Sequence, residues 1–221
     1  MTDVADLEIG DGCVFVIDDD AEVRGSLGSL FRSAGLDVAL HENPAEFLKA
    51  EQPGGAACLV LDIRLPGING LDFQERLAAE GKDIPVIFIT GHGDIPMTVR
   101  GMRLGAVDFL PKPFDDEQML RAVATALARD RDRQAGAESI ATIKEHYERL
   151  TPREREVLSL VVAGLMNKQV AAKLALSEIT VKIHRGNVMR KMQAQSLADL
   201  VRMAEMLGVR DETICRFKIS V

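Results

Sequence analysis

The chain has 221 residues, of which 47 % are hydrophobic and 28 % charged. That composition is of a globular protein long enough for one or two cores, and it excludes a low-complexity or fibrous chain. There is no apolar run of about 18 residues, and the N-terminal stretch MTDVADLEIGDG is acidic, so neither a membrane span nor a secretory signal is indicated and a cytoplasmic location is expected. The net charge of −7 hides an asymmetry: residues 1–148 carry 14 Lys+Arg against 27 Asp+Glu, whereas residues 149–221 carry 13 against 7. A basic C-terminal module on an acidic chain points to a polyanionic partner such as nucleic acid, because phosphate neutralisation supplies most non-specific affinity. The three cysteines, Cys13, Cys58 and Cys215, are far apart and fit no metal spacing, so they are expected to be buried reduced thiols. The four histidines are scattered and suggest neither a metal site nor a triad.

In chain order, residues 1–12 are expected to form a flexible head. Short apolar strands then alternate with amphipathic helices: strands at 13–17, 37–41, 57–61, 84–89 and 106–110, and helices near 21–34, 44–50, 70–80 and 95–104 and from about 115. Five such repeats predict an open, doubly wound parallel sheet covered on both faces, whose ligands bind beyond the carboxyl ends of the strands. The first strand ends in Asp18, Asp19 and Asp20, and the third, LVLD, ends in Asp62 before a Leu-Pro-Gly turn. Clustered carboxylates must hold a cation or protons, and hard oxygen donors with room for water suit Mg²⁺. Acids at strand ends also cap helices, and Asp20 is a candidate for that role. The fourth strand ends in Thr90 and the fifth is followed by Lys112, so a hydroxyl and an ammonium join the same rim. Together these groups would neutralise a phosphoryl group on Asp62 and donate a hydrogen bond to it.

The segments VFVIDDD, LVLDIRLPGINGLDF, FITGHGDIPM and GAVDFLPKPF resemble the receiver domain of two-component response regulators, a flavodoxin-like α/β fold, over residues 13–130. The resemblance implies that Asp62 accepts a phosphoryl group from a histidine kinase. It also implies that Asp18, Asp19, Asp62 and the backbone carbonyl of Arg64 organise Mg²⁺, that Lys112 contacts the phosphate, and that Thr90 and Phe109 form the switch pair. Without the family, Phe109 reads equally well as a buried strand aromatic. A cis Lys112-Pro113 bond is implied as well. An aspartate-nucleophile phosphatase on a similar sheet would place its general acid two residues beyond the nucleophile, where this chain has Arg64. The protein is therefore expected to lose its own acyl phosphate slowly and not to act as an enzyme on other substrates.

Residues 131–148 are expected to form a helical linker, either nearly continuous or interrupted and hinged at Gly136. Thr151-Pro152-Arg153-Glu154 then combines an N-cap hydroxyl, a proline at the first helical position and a Glu that completes a capping box. A helix follows to about Ala163, ended by Gly164. Asn167 is expected to cap Lys168–Leu174, Ser177 to cap Glu178–Met192, and Ser196 to start a fourth helix ending at Gly208. The second and third of these make a helix-turn-helix. On the third helix Val181, Val188 and Met192 share a stripe that should face the core. The opposite face carries Ile179, Lys182, Ile183, Gly186 and Arg190. In a major groove the isoleucines could meet thymine methyls, Lys182 could reach a base edge and Gly186 would permit close approach. Lys168, Thr180, Arg185, Arg190 and Lys191 would serve the phosphates.

Residues 149–208 resemble the four-helix LuxR-type helix-turn-helix, and the whole chain is similar to the FixJ/NarL type of transcriptional regulator, closest to FixJ. The resemblance implies a homodimer formed on phosphorylation, with the receiver surface near residues 95–115 as the dimer face. It further implies binding to inverted DNA half-sites and promoter activation through RNA polymerase. A constitutive DNA-binding regulator with a degenerate receiver is the alternative. The tail 209–221 has no counterpart in such a module.

Overall fold

The structure is a computed structural model, and it describes residues 10–51, 54–91 and 95–209. Residues 1–9 of the expected head, the tail beyond Val209, Cys215 and His92 lie outside the described residues. The chain divides into two units, Met1–Gln134 and Ala135–Val221. No helix of the described residues is long and apolar enough to cross a membrane.

The first unit alternates strands and helices as expected. Strand β1 (Cys13–Ile17), α1 (Ala21–Ser33), β2 (Asp37–His41), α2 (Pro44–Phe47) and β3 (Ala57–Asp62) are followed by a two-stranded hairpin of β4 (Arg64–Leu65) and β5 (Ile68–Asn69). Next come α3 (Gly70–Ala79), β6 (Val86–Thr90), α4 (Ile95–Arg103), β7 (Asp108–Pro111) and α5 (Asp116–Glu148). The parallel sheet has the order β2-β1-β3-β6-β7. Because side chains alternate across a strand, each buried strand supplies two cores. Val14, Val16, Cys58, Val60, Ile87, Ile89 and Leu110 face α1 and the Met119–Leu127 stretch of α5. Phe15, Ile17, Leu59, Leu61 and Phe88 face Phe47 of α2 and Leu71, Phe73 and Leu77 of α3. Each such Phe or Leu, fully buried, contributes about 1.5–3 kcal/mol.

Strand β6 starts at Val86 and not at residue 84, and three other departures from the sequence expectation have local reasons. Helix α2 stops at Phe47 because Lys49 and Ala50 donate to carbonyls only three residues back. Ala106 belongs to the turn after α4, where its N–H bonds Gly101, so β7 begins at Asp108. Gly136 sits inside α5 and does not interrupt it. An isolated helical glycine costs only about 1 kcal/mol relative to alanine, and the surrounding Arg, Gln, Ala and Glu residues favour helix. Asp20 does cap α1, accepting from Glu22 and Val23. Cys58 is buried and its thiol is pushed up by that burial, but Cys13 is only half-buried, so the expectation for the cysteines holds for one of the two described.

Where α5 leaves the sheet, the buried carboxylate of Asp130 accepts from the Ala57 N–H at 2.9 Å, from Gln134 at 2.7 Å and from the Arg133 guanidinium. Its charge is fully paired, which is the condition for keeping a carboxylate inside a core.

The second unit continues α5 and adds α6 (Pro152–Val162), α7 (Asn167–Leu174), α8 (Glu178–Lys191) and α9 (Leu197–Met206). The capping box at Thr151 and Glu154 is present, as are the caps at Ser177 and Ser196. Asn167 is not a cap. It is the first helical residue, the N-cap is Met166, and the Gln169 side chain accepts the Met166 N–H at 2.8 Å. The Asn167 oxygen instead accepts from Arg185 at 2.7 Å.

Candidate functional site

Strand register brings the predicted acidic rim together. Ile17 pairs with Leu61, so Asp18 and Asp62 emerge side by side, and Asp62 pairs with Ile89, one residue before Thr90. Thr90 in turn pairs with Pro111, and its carbonyl accepts the Lys112 N–H at 2.7 Å. Asp18 and Thr90 are fully buried, Asp62 is 6 % exposed and Asp19 is exposed.

The Lys112 ammonium lies 2.6 Å from Asp18 Oδ2 and 2.6 Å from Asp62 Oδ2. The other oxygens of these carboxylates accept backbone N–H groups, Asp20 on Asp18 and Arg64 on Asp62, each at 2.9 Å. Burial holds the Asp18 carboxyl above the usual range, and the hydrogen bonds from Lys112 and Asp20 only partly offset it. Burial works to lower the Lys112 ammonium, but its bonds to Asp18 and Asp62 outweigh this and hold it above its ordinary value. One carboxylate oxygen from each of Asp18, Asp19 and Asp62 lies within 4.8 Å of the others. Three hard oxygen donors, one of them on an exposed side chain that leaves room for water, fit a small divalent cation. Phe109 is half-buried, with its ring 6.2 Å from that of Phe88, and the Lys112-Pro113 bond is cis.

Two supporting residues escaped the sequence reading. Arg24 of α1 donates to the Asp18 carbonyl at 2.6 Å. Gly70 starts α3 against the end of β3: a Cβ there would lie 2.5 Å from the Asp62 carbonyl oxygen and 3.0 Å from Ile63 Cα. The only local signal for it is the Asn-Gly pair, and that signal does not show what the glycine approaches.

In the second unit Val181, Val188 and Met192 of α8 are buried, as the stripe predicts, with α8 packed on α6 and α7 in a core that also holds Leu200 and Ala204 of α9. Between α7 and α8 the chain turns through Ala175, which takes the left-handed conformation at φ +54°. The opposite face of α8 is open: Ile179, Lys182, Ile183, Gly186 and Arg190 are all exposed, as is Lys168 on α7. Other predicted contacts have partners within the unit. Thr180 shares a hydrogen bond with Ser177, Arg185 holds Asn167, and Arg190 reaches Asn187. Lys191 places its ammonium 2.7 Å from Oε2 of the buried Glu154.

The family model for the response regulator receiver domain matches residues 14–124, and that for bacterial regulatory proteins of the luxR family matches residues 148–204. Nodulation protein W of Bradyrhizobium diazoefficiens is 57 % identical over 196 residues, 89 % of this chain and 86 % of its own. The chain belongs to the two-component response regulators with a LuxR-type DNA-binding domain. Transcriptional regulatory protein FixJ of Azorhizobium caulinodans is 46 % identical over 196 residues, covering 89 % of this chain and 93 % of its own. Among solved structures, response regulator StyR superposes with a TM-score of 0.77 at 45 % identity, over 89 % of this chain and 99 % of its own.

In this response regulator the Lys191–Glu154 pair carries a stability prediction. Burial would raise the Glu154 carboxyl, but the bonds from Lys191 and Thr151 outweigh that and lower it. A carboxyl lowered on folding stabilises the fold above its unfolded value of about 4.3, and that contribution is lost as pH falls through the folded value. Lys191→Ala should therefore lower the urea midpoint of the helix-turn-helix unit at pH 7, by about 1–3 kcal/mol, and the gap from wild type should narrow below about pH 4. A gap independent of pH would mean that Lys191 does not act through Glu154.

Proposed function

We propose that Asp62 accepts a phosphoryl group from a histidine kinase and that this modification turns on DNA binding by a homodimer. An Asp62 carboxylate oxygen forms the new bond to phosphorus as the phosphorus–nitrogen bond of the kinase phosphohistidine breaks, and the imidazole leaves. Asp18, Asp19, Asp62 and the Arg64 carbonyl would hold Mg²⁺, which supplies positive charge against the transferred oxygens. Lys112 releases its two carboxylates and neutralises the phosphoryl group. Thr90 donates its hydroxyl to that group, and Phe109 moves into the space behind Thr90. Slow attack of water on the acyl phosphate resets the protein. The observation that carries this reading is the Lys112 ammonium bridging Asp18 and Asp62, a cation already seated where phosphate charge would arrive.

Downstream, the apolar side chains of Ile95, Val99 and Met102 on α4, 81 %, 44 % and 50 % exposed, support the region 95–115 as the dimer face. The open face of α8 enters the major groove with Lys182, Ile183 and Gly186, while Lys168, Thr180, Arg185 and Arg190 meet phosphates. Lys191 reaches the phosphates only with the donors that Glu154 leaves over. Promoter activation through RNA polymerase in the cytoplasm completes the reading. The test treats the full chain with phosphoramidate and Mg²⁺, then measures oligomer size and binding to a duplex selected from a random pool. Phosphorylation is expected to give a dimer and tighten binding at least about ten-fold, a coupling of ~1.4 kcal/mol. Identical size and affinity with and without phosphoramidate would favour the constitutive regulator instead.

A further inference from the structure

We infer that α8 recognises DNA partly through thymine methyl groups, with Ile179 and Ile183 reading two thymines about two base-pair steps apart in each half-site. This deepens the proposed function and rests on its placement of α8 in the major groove. Ile179 is 73 % exposed and Ile183 is 59 % exposed, the two most exposed large hydrophobic side chains among the described residues of the second unit. They stand four residues apart, hence on one face, opposite the buried Val181 and Val188. Neither serves the fold. A β-branched residue on an open helix face loses χ1 freedom relative to Ala, Glu or Lys, and here it covers no core.

Their surroundings select the partner. Lys182 and Arg190 share the face, residues 149–221 carry 13 basic against 7 acidic residues, and a Cβ built at Gly186 meets nothing within 4 Å. A cationic, unobstructed face suits a polyanion. On the edges that base pairs present to the major groove, the apolar group is the C5-methyl of thymine. The α-carbons of residues 179 and 183 are separated by about 6 Å along the helix axis, and base pairs stack about 3.4 Å apart, so a helix following the groove spaces the two thymines at up to about two steps.

Uracil differs from thymine by that methyl alone, so replacement of single thymines isolates the contact. The probe is a duplex selected from a random pool by the phosphoramidate-treated full chain, rebuilt with one uracil at a time. Two positions per half-site, about two steps apart, should each weaken wild-type binding by about four-fold, the equivalent of ~0.8 kcal/mol for one buried methyl. Ile179→Ala should erase the penalty at one position and Ile183→Ala at the other, with thermal midpoints unchanged because both side chains are exposed. A uracil scan that is neutral throughout, or penalties that survive in both variants, would overturn the inference while leaving DNA binding by α8 intact. If the phosphorylated wild type selects no duplex at all, the proposed function fails and takes the inference with it.

Discussion

Asp62→Asn should take no phosphoryl group from phosphoramidate and Mg²⁺, whereas wild type gains one by intact mass. Asp18 is fully buried, with one oxygen on Lys112 and the other on the Asp20 N–H, and Asp19 sits at the exposed rim. Of the three, Asp62 alone joins a carboxylate that bonds both the Lys112 ammonium and the Arg64 N–H to a small remaining exposure, 6 % against 0 % for Asp18. The variant should remain folded, because asparagine keeps the shape and an oxygen acceptor. It removes the repulsion between Asp62 and the buried Asp18 and also the Asp62 charge paired with Lys112, two effects of opposite sign, and Lys112 keeps Asp18 as a partner, so the thermal midpoint should change little. Loss of phosphorylation with an intact midpoint therefore reports chemistry and not unfolding. If Asp62→Asn gains phosphate as readily as wild type, the acceptor lies elsewhere and the assignment of the rim is wrong.

Gly70→Ala should both destabilise the first unit and slow phosphorylation. The new Cβ would fall 2.5 Å from the Asp62 carbonyl oxygen and 3.2 Å from the Asp62 carbonyl carbon, and backbone cannot swing aside as a flexible side chain could. Overpacking of this kind costs about 1–3 kcal/mol, against a gain of up to ~1 kcal/mol from replacing a helical glycine. The net change should be a lower denaturant midpoint. Relief comes from pushing α3 and β3 apart, which displaces Asp62 relative to Lys112, and a shift of that size near reacting groups can slow a reaction by roughly ten- to a hundred-fold. Gly136→Ala is the contrasting control. That glycine also lies in a helix, but nothing lies within 4 Å of its Cβ, so the change should be neutral or stabilise by up to ~1 kcal/mol. Phosphorylation of Gly70→Ala at the wild-type rate would show that the close packing of α3 on β3 does not position the acceptor.

Much of this regulator is legible from residue types within a turn or two of each other. The capping box at Thr151 and the caps at Asp20, Ser177 and Ser196 depend on neighbours no more than three residues apart, the buried stripe of α8 on residues four and seven apart along the helix, and each forms as its local pattern predicts. One failure and one long-range partner are also instructive. Asn167 has the composition of a cap, but its side chain is taken by Arg185, 18 residues away. Lys191 looks like a phosphate contact on α8, yet its ammonium is held by Glu154, 37 residues earlier.

The alternation of apolar strands with amphipathic helices, the acid or hydroxyl at the end of three strands with Lys112 just beyond a fourth, and the shift of charge toward the C-terminus were set by the sequence alone. Folding decided which of those strand ends become neighbours. Lys112 meets Asp62 across 50 residues and Asp18 across 94, and Gly70 is needed only because α3 packs down on the strand that carries Asp62. The physical reason is range. Backbone hydrogen bonds and side-chain periodicity act over a few residues and are written in local order, whereas register and ion pairing depend on how separate elements pack once their apolar faces are buried.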